Sequence, residues 1–165
     1  MQINLGALLL ICSHSMEEPN LTYAHCNVVH SKPNTSAFVY NNLPAYSTLK
    51  LSWTHSVEKI EWHESYILDN YQFFLDEVRL KGSGAGMEIP NEAIFKESYW
   101  IHYPNTNLGQ LSLTYSPYTP DYQLCIAQRC ANLFDWMAKN FETHLSSELS
   151  YRVSIEVFSH INFNL

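Results

Sequence analysis

With 165 residues and a mass of 19.1 kDa, the chain has the length of one compact domain, which excludes two independent cores. Hydrophobic residues make up 46%, aromatics 14% and charged residues 15%, so the chain folds around a core and is neither disordered nor linker-like. Nine Lys and Arg against sixteen Asp and Glu give a formal charge of −7, the wrong sign for a surface held to nucleic acid or an anionic membrane by counterion release.

Residues 1–11 are mostly apolar but hold only about seven or eight consecutive apolar positions, far short of the roughly 20 residues of a spanning helix. Followed by Cys12, Ser13 and the polar stretch 16–20, it reads either as the apolar part of an export signal or as a first strand. No Lys or Arg precedes it, and Ile11 stands where a cleaved lipoprotein precursor carries a small residue before its Cys. The folded part is expected from Leu21 to Leu165, as a single β-rich domain.

From there the pattern is strands punctuated by turns. Residues 21–30 and 37–40 are predicted strands, with a turn over 31–34. Over 48–57, Leu49, Leu51, Trp53, His55 and Val57 alternate with Lys50, Ser52, Thr54, Ser56 and Glu58, the period of a half-buried strand. Trp62, Glu64, Tyr66 and Leu68 share one face of the next strand, Asp69-Asn70 forms a turn, and 71–81 continues as a third strand, so the three make a meander. Gly82, Gly84 and Gly86 break all periodicity and permit backbone conformations that other residues resist. A helical turn is predicted over 92–96. Strands follow over 99–103, 110–115 and 122–128, separated by turn segments at 104–107 and 117–121. Leu133, Phe134, Met137 and Phe141 fall at helical spacing within 131–141, and 151–161 closes the chain as a strand.

Three separated motifs carry a resemblance. They are the block Trp53-Thr54-His55-Ser56-Val57-Glu58-Lys59 followed by Glu61 and Glu64, the segment Leu75-Asp76-Glu77-Val78-Arg79, and the loop Gly84-Ala85-Gly86-Met87. In this order they resemble the bacterial and archaeal family catalogued as domain of unknown function 1850, over residues 49–157. The chain departs from the family pattern at Ile89, which separates Glu88 from Pro90, and in a longer segment over 127–152. The resemblance implies a small exported or membrane-anchored protein, and the shortness of the apolar run argues against a transmembrane one as written. Its gene would lie beside those of a tripartite ATP-independent periplasmic (TRAP) transporter of the TAXI type, and no settled activity comes with the family.

The residues themselves offer several chemistries. His55 shares a strand face with Leu51 and Trp53, so its ring is predicted to point inward, where Glu64 is the natural partner to offset desolvation. Ser56 then faces away, which makes His55-Ser56 a poor base and nucleophile pair. A buried His–Glu bond that fixes register is the simpler account; a ligand-binding or catalytic role is the sharper one. Glu58, Glu61, Glu64 and Glu77 with Lys59 and Arg79 form the densest charge cluster. No metal-ligand spacing accompanies it, and a solvated ladder of Glu and Lys/Arg pairs is favoured. The loop Gly84-Ala85-Gly86 lacks the residues of a phosphate loop. It could hold a carboxylate-sized anion with Arg79 or Lys81, or serve as a silent crossover.

Cys125 and Cys130 stand opposite each other if 126–129 is a hairpin loop, and a disulfide is expected there in an oxidising compartment. Tyr118 and Tyr122, near Pro117 and Pro120, are the aromatics singled out for exposure.

The sequence thus predicts a mainly β domain, an antiparallel β-sandwich or partly open barrel with one short helix. Its expected role is a noncatalytic accessory or ligand-binding protein, periplasmic or otherwise extracytoplasmic, working with TRAP transporter subunits that carry small organic anions. No cofactor or metal is expected. A hydrolase-like enzyme using His55 and a nearby carboxylate, and a structural protein-interaction module, are the alternatives.

Overall fold

The structure, a computed structural model, describes residues 7–15, 35–43, 47–70, 72–83, 88–126, 128–140 and 145–159. The expected strand at 21–30, the turn at 31–34 and the loop Gly84-Ala85-Gly86 lie outside them. In chain order the elements are β1 (Ala7–Ser15), β2 (Thr35–Leu43), β3 (Thr48–Thr54), β4 (Glu61–Asp69), β5 (Gln72–Leu80), β6 (Ile94–Lys96) and β7 (Tyr99–His102). They continue with β8 (Thr106–Gly109), β9 (Leu111–Tyr115), β10 (Gln123–Ile126), β11 (Arg129–Asn132), α1 (Leu133–Asn140) and β12 (Tyr151–Ser159).

All strand pairs are antiparallel, and they form two sheets without a closed barrel. The larger sheet has the order β11-β10-β3-β4-β5-β7-β6, with β8 paired to β5, and the smaller one β2-β1-β12-β9. The expected meander is its centre, with Leu51 opposite Glu64, Trp53 opposite Trp62 and Glu64 opposite Val78. Leu49, Leu51, Tyr66, Phe73 and Leu124 of the larger sheet share one core with Leu111, Tyr115, Val153 and Ile155 of the smaller one and with Leu133 and Met137 of α1. Period-2 burial along β3, β4 and β12 produces this packing: every second side chain faces the opposite layer.

The helix is held at its start by the loop before β10. The Leu133 amide donates to the Tyr122 carbonyl at 2.7 Å, and the Phe134 amide donates to Asp121 Oδ2 at 2.9 Å. Two of the amides that a helix start leaves unbonded thereby gain acceptors.

Three expectations change. The strand predicted to reach Val57 ends at Thr54, and Val57 is exposed in the following turn. Residues 94–96 form strand β6 where a helical turn was expected, because Glu97 and Ser98, both at positive φ, close a two-residue hairpin from Lys96 to Tyr99. Part of the expected separator at 104–107 joins β8, which pairs with β5. Among the described residues no helix is long and apolar enough to cross a membrane.

Candidate functional site

The two faces of the meander hold different chemistry, and alternation assigns each residue to one of them. On the face away from the core stand Lys50, Ser52, His63, Ser65, Glu77, Arg79, Lys81 and Tyr99. Glu77 and Arg79 lie two apart on β5, so their side chains are neighbours. Arg79 Nε donates to Glu77 Oε1 at 2.7 Å, and Nη2 donates to Oε2 at 3.3 Å. A further Arg79 nitrogen is 3.7 Å from Glu97. Lys81 Nζ lies 2.7 Å from Glu61 Oε2, and the Tyr99 hydroxyl donates to the same oxygen at 2.9 Å. Lys81 also sits 5.5 Å from the centre of the Tyr99 ring, and His63 meets that ring edge-on at 5.4 Å.

These contacts set the protonation of the face. Hydrogen bonding from Lys81 and Tyr99 holds the Glu61 carboxyl below the ordinary range, and bonding from Arg79 does the same for Glu77. Glu77 and Glu61 in turn raise Arg79 and Lys81. Desolvation lowers His63 despite the neighbouring Glu61. On this face Glu61 and Lys81 pair across the sheet, and Glu77 and Arg79 pair along β5.

Among the described residues of the meander, the core-facing side carries a single carboxylate. Glu64 is half-buried, and the hydroxyl of the buried Tyr66 donates to its Oε2. Burial pushes the Glu64 carboxyl up, while the Tyr66 bond acts against that rise. Around it, Trp53 stacks on Trp62 with ring centres 5.7 Å apart and planes at 27°. Tyr122 meets Trp53 at the same 5.7 Å. The Trp62 side chain is buried, and among the described residues its indole Nε1–H has no hydrogen-bond acceptor.

The predicted His55–Glu64 bond is absent among the described contacts, and register explains why. The β3–β4 ladder ends at Thr54 opposite Glu61, whereas Glu64 stands opposite Leu51. His55 lies four residues beyond Leu51, roughly 13 Å along an extended strand. Its ring is used in the turn: Nδ1 accepts from the amides of Val57 at 3.4 Å and Glu58 at 3.3 Å. Its backbone closes the same turn, with His55 N donating to the Ile60 carbonyl at 2.8 Å and Lys59 N donating to the His55 carbonyl at 3.0 Å. An accepting Nδ1 places the imidazole proton on Nε2. Ser56 and Glu58 are exposed in that turn and join neither face.

The structure thus brings Glu77 to Arg79 and leaves His55, Ser56, Glu58 and Glu64 apart from them. Sequence reasoning passed over His63, Lys81 and Tyr99 as one group. Continuing the alternation across the β4–β5 pairing, with His63 opposite Arg79, would have found them.

Cys125 and Cys130 are opposite each other in the β10–β11 hairpin and are joined by a disulfide, with Cα atoms 4.0 Å apart. Tyr118 is exposed, whereas Tyr122 is half-buried against Trp53. Among the described residues no three His, Cys, Asp or Glu side chains converge as a metal site requires.

A family model described as domain of unknown function (DUF1850) matches residues 49–133, the span from β3 to the first residue of α1. No curated protein and no solved structure matches the chain.

Proposed function

The chain belongs to the family of domain of unknown function 1850, and from that membership we propose that it is a noncatalytic accessory or binding protein of a bacterial TAXI-type TRAP transporter for small organic anions, working in the periplasm. The observation that carries the reading is the extent of the family match, which takes in the whole meander with both of its faces. Two structural features support it. The disulfide between Cys125 and Cys130 suits an oxidising compartment. Strand β6 ends the larger sheet and presents Ile94 and Phe95, 53% and 62% exposed, an edge suited to strand addition by a partner protein.

Arg79 and Lys81, just before the glycine-rich loop, are the cations nearest in sequence to an anion held there. Both are engaged by carboxylates, so an arriving carboxylate ligand would exchange with Glu77 or Glu61. The hydrolase reading has less support, since His55 is committed to its own turn and Glu64 to Tyr66.

The purified chain is expected to be retained by the membrane subunit of a TAXI-type transporter in detergent. Phe95→Lys is expected to weaken that retention. Succinate or glutamate is expected to raise the melting temperature by mass action. A folded chain that is neither retained nor shifted by either acid would overturn the proposal.

A further inference from the structure

The disulfide of the β10–β11 hairpin joins two residues that the sheet already holds together. On one side Gln123, Leu124 and Ile126 of β10 pair with Asn132, Ala131 and Arg129 of β11, and on the other with Ser52, Leu51 and Leu49 of β3. Leu124 and Ile126 are buried in the core. The bond spans a sequence separation of 5, and a cross-link stabilises less the shorter the loop it closes. The ladder and the buried side chains, more than the bond, hold the hairpin in register.

The two sulfurs are not equivalent. Cys130 is exposed, whereas Cys125 is half-buried. Strand β11 stands at the end of the larger sheet, so among the described residues no strand lies beyond Cys130. Beyond Cys125 lies β3, which sets Lys50 directly opposite it on the face away from the core, and such cross-strand neighbours have Cβ atoms about 5 Å apart. Exchange begins with a thiolate attacking one sulfur along the S–S line and expelling the other. That line is open to solvent at Cys130, from outside the sheet edge, and passes over β3 at Cys125. Attack on Cys130 expels the Cys125 sulfur as a thiolate beside the Lys50 ammonium, and a neighbouring cation stabilises a thiolate and makes it a better leaving group. Glu77, further along the row that runs from Lys50 through Ser65, has both of its oxygens bonded by Arg79.

We propose that Cys125–Cys130 is a thiol–disulfide exchange site whose substrate is a protein dithiol, with Cys130 the sulfur attacked and Lys50 the group that receives the departing Cys125 thiolate. One thiolate of the dithiol bonds to the Cys130 sulfur as the bond to Cys125 breaks. Its second thiolate then attacks its own sulfur in the mixed disulfide and releases Cys130. Two electrons pass from the dithiol to this chain: the partner ends as a disulfide, and the two protons its thiols give up are regained by Cys125 and Cys130. The proposal stands or falls separately from the transporter association.

The test incubates the oxidised full chain with glutathione, its reduced form in about hundredfold excess over its disulfide, a mixture that leaves structural disulfides closed. Free thiols are trapped with N-ethylmaleimide, and tryptic cleavage after Arg129 places the two cysteines on separate peptides for mass spectrometry. At equilibrium most chains are expected to carry thiols at both positions and to keep a cooperative unfolding transition. At early times the glutathione adduct is expected on Cys130, with the trapped thiol on Cys125. Lys50→Gln, a change at an exposed position, is expected to slow the first step by about threefold. A bond that stays closed in this mixture, an adduct shared equally or favouring Cys125, loss of the fold on reduction, or an undiminished rate in Lys50→Gln would each overturn the site. The position of the adduct on the unaltered chain remains decisive even if the variant folds poorly.

Discussion

Glu64 and His55 carry opposite lessons about a polar side chain in a β-sheet. Burial raises the Glu64 carboxyl, so the native state keeps that proton to higher pH than the unfolded chain. Its contribution to stability is fullest below the unfolded carboxylate value, falls as pH climbs through the native one, and is level above that. Glu64→Gln removes the titration and keeps the bond from Tyr66. Relative to wild type, the variant is expected to gain stability as pH rises from about 4 towards neutrality, as read by urea unfolding at a series of pH values. Glu61 and Glu77 are lowered and have the reverse dependence, but they are common to both proteins and cancel in the difference. His55 acts through the turn: His55→Ala is expected to cost about 1 kcal/mol for the lost acceptor, and His55→Asn less, because Asn can serve the same amides. Equal losses in the two variants would show that Nδ1 is not what holds the turn. The sequence made Glu64 legible as an inward residue through its place between Trp62 and Tyr66. It could not reveal the partner, because pairing depends on where the hairpin turns, and nothing in 54–61 marks the last ladder pair.

Strands with strict alternation were readable and those closed by unusual turns were not. Leu49 and Leu51 against Lys50 announce β3, and Val153 and Ile155 announce β12. The hairpin of β6 and β7 was hidden because its two-residue turn is Glu97-Ser98, where Asn-Gly would have signalled it. Both residues hold positive φ, 54° and 67°, a region that disfavours any residue with a Cβ. Ser98→Gly is therefore expected to stabilise the protein by about 1 kcal/mol, measured as a raised denaturant midpoint with unchanged slope. Strand β8 was concealed in a similar way, since Pro104, Asn105 and Asn107 read as turn residues. The Asn107 side chain does form a turn contact, accepting from the Gly109 amide at 2.9 Å, within a segment that also pairs with β5. Asp121 gave no local sign of its task, because the helix amide it serves lies thirteen residues further on.

At the scale of the molecule, the two sheets are joined by shared burial, and β12 is central to it. Ile155 is fully buried between β1 and β9 within its sheet. Ile155→Ala is expected to cost about 2–5 kcal/mol, checked by chemical denaturation; a loss below 1 kcal/mol would mean that the layers do not depend on this contact. The arrangement of that sheet also bears on how the protein is made. Ala7 of β1 stands opposite Ser159 of β12, so one of the earliest strands must wait for one of the latest before the smaller sheet can close. Contacts so distant along the chain are slow to form. A ribosome-bound chain can assemble the β3-β4-β5 meander early, whereas β1 has no β12 to pair with until translation has passed Tyr151.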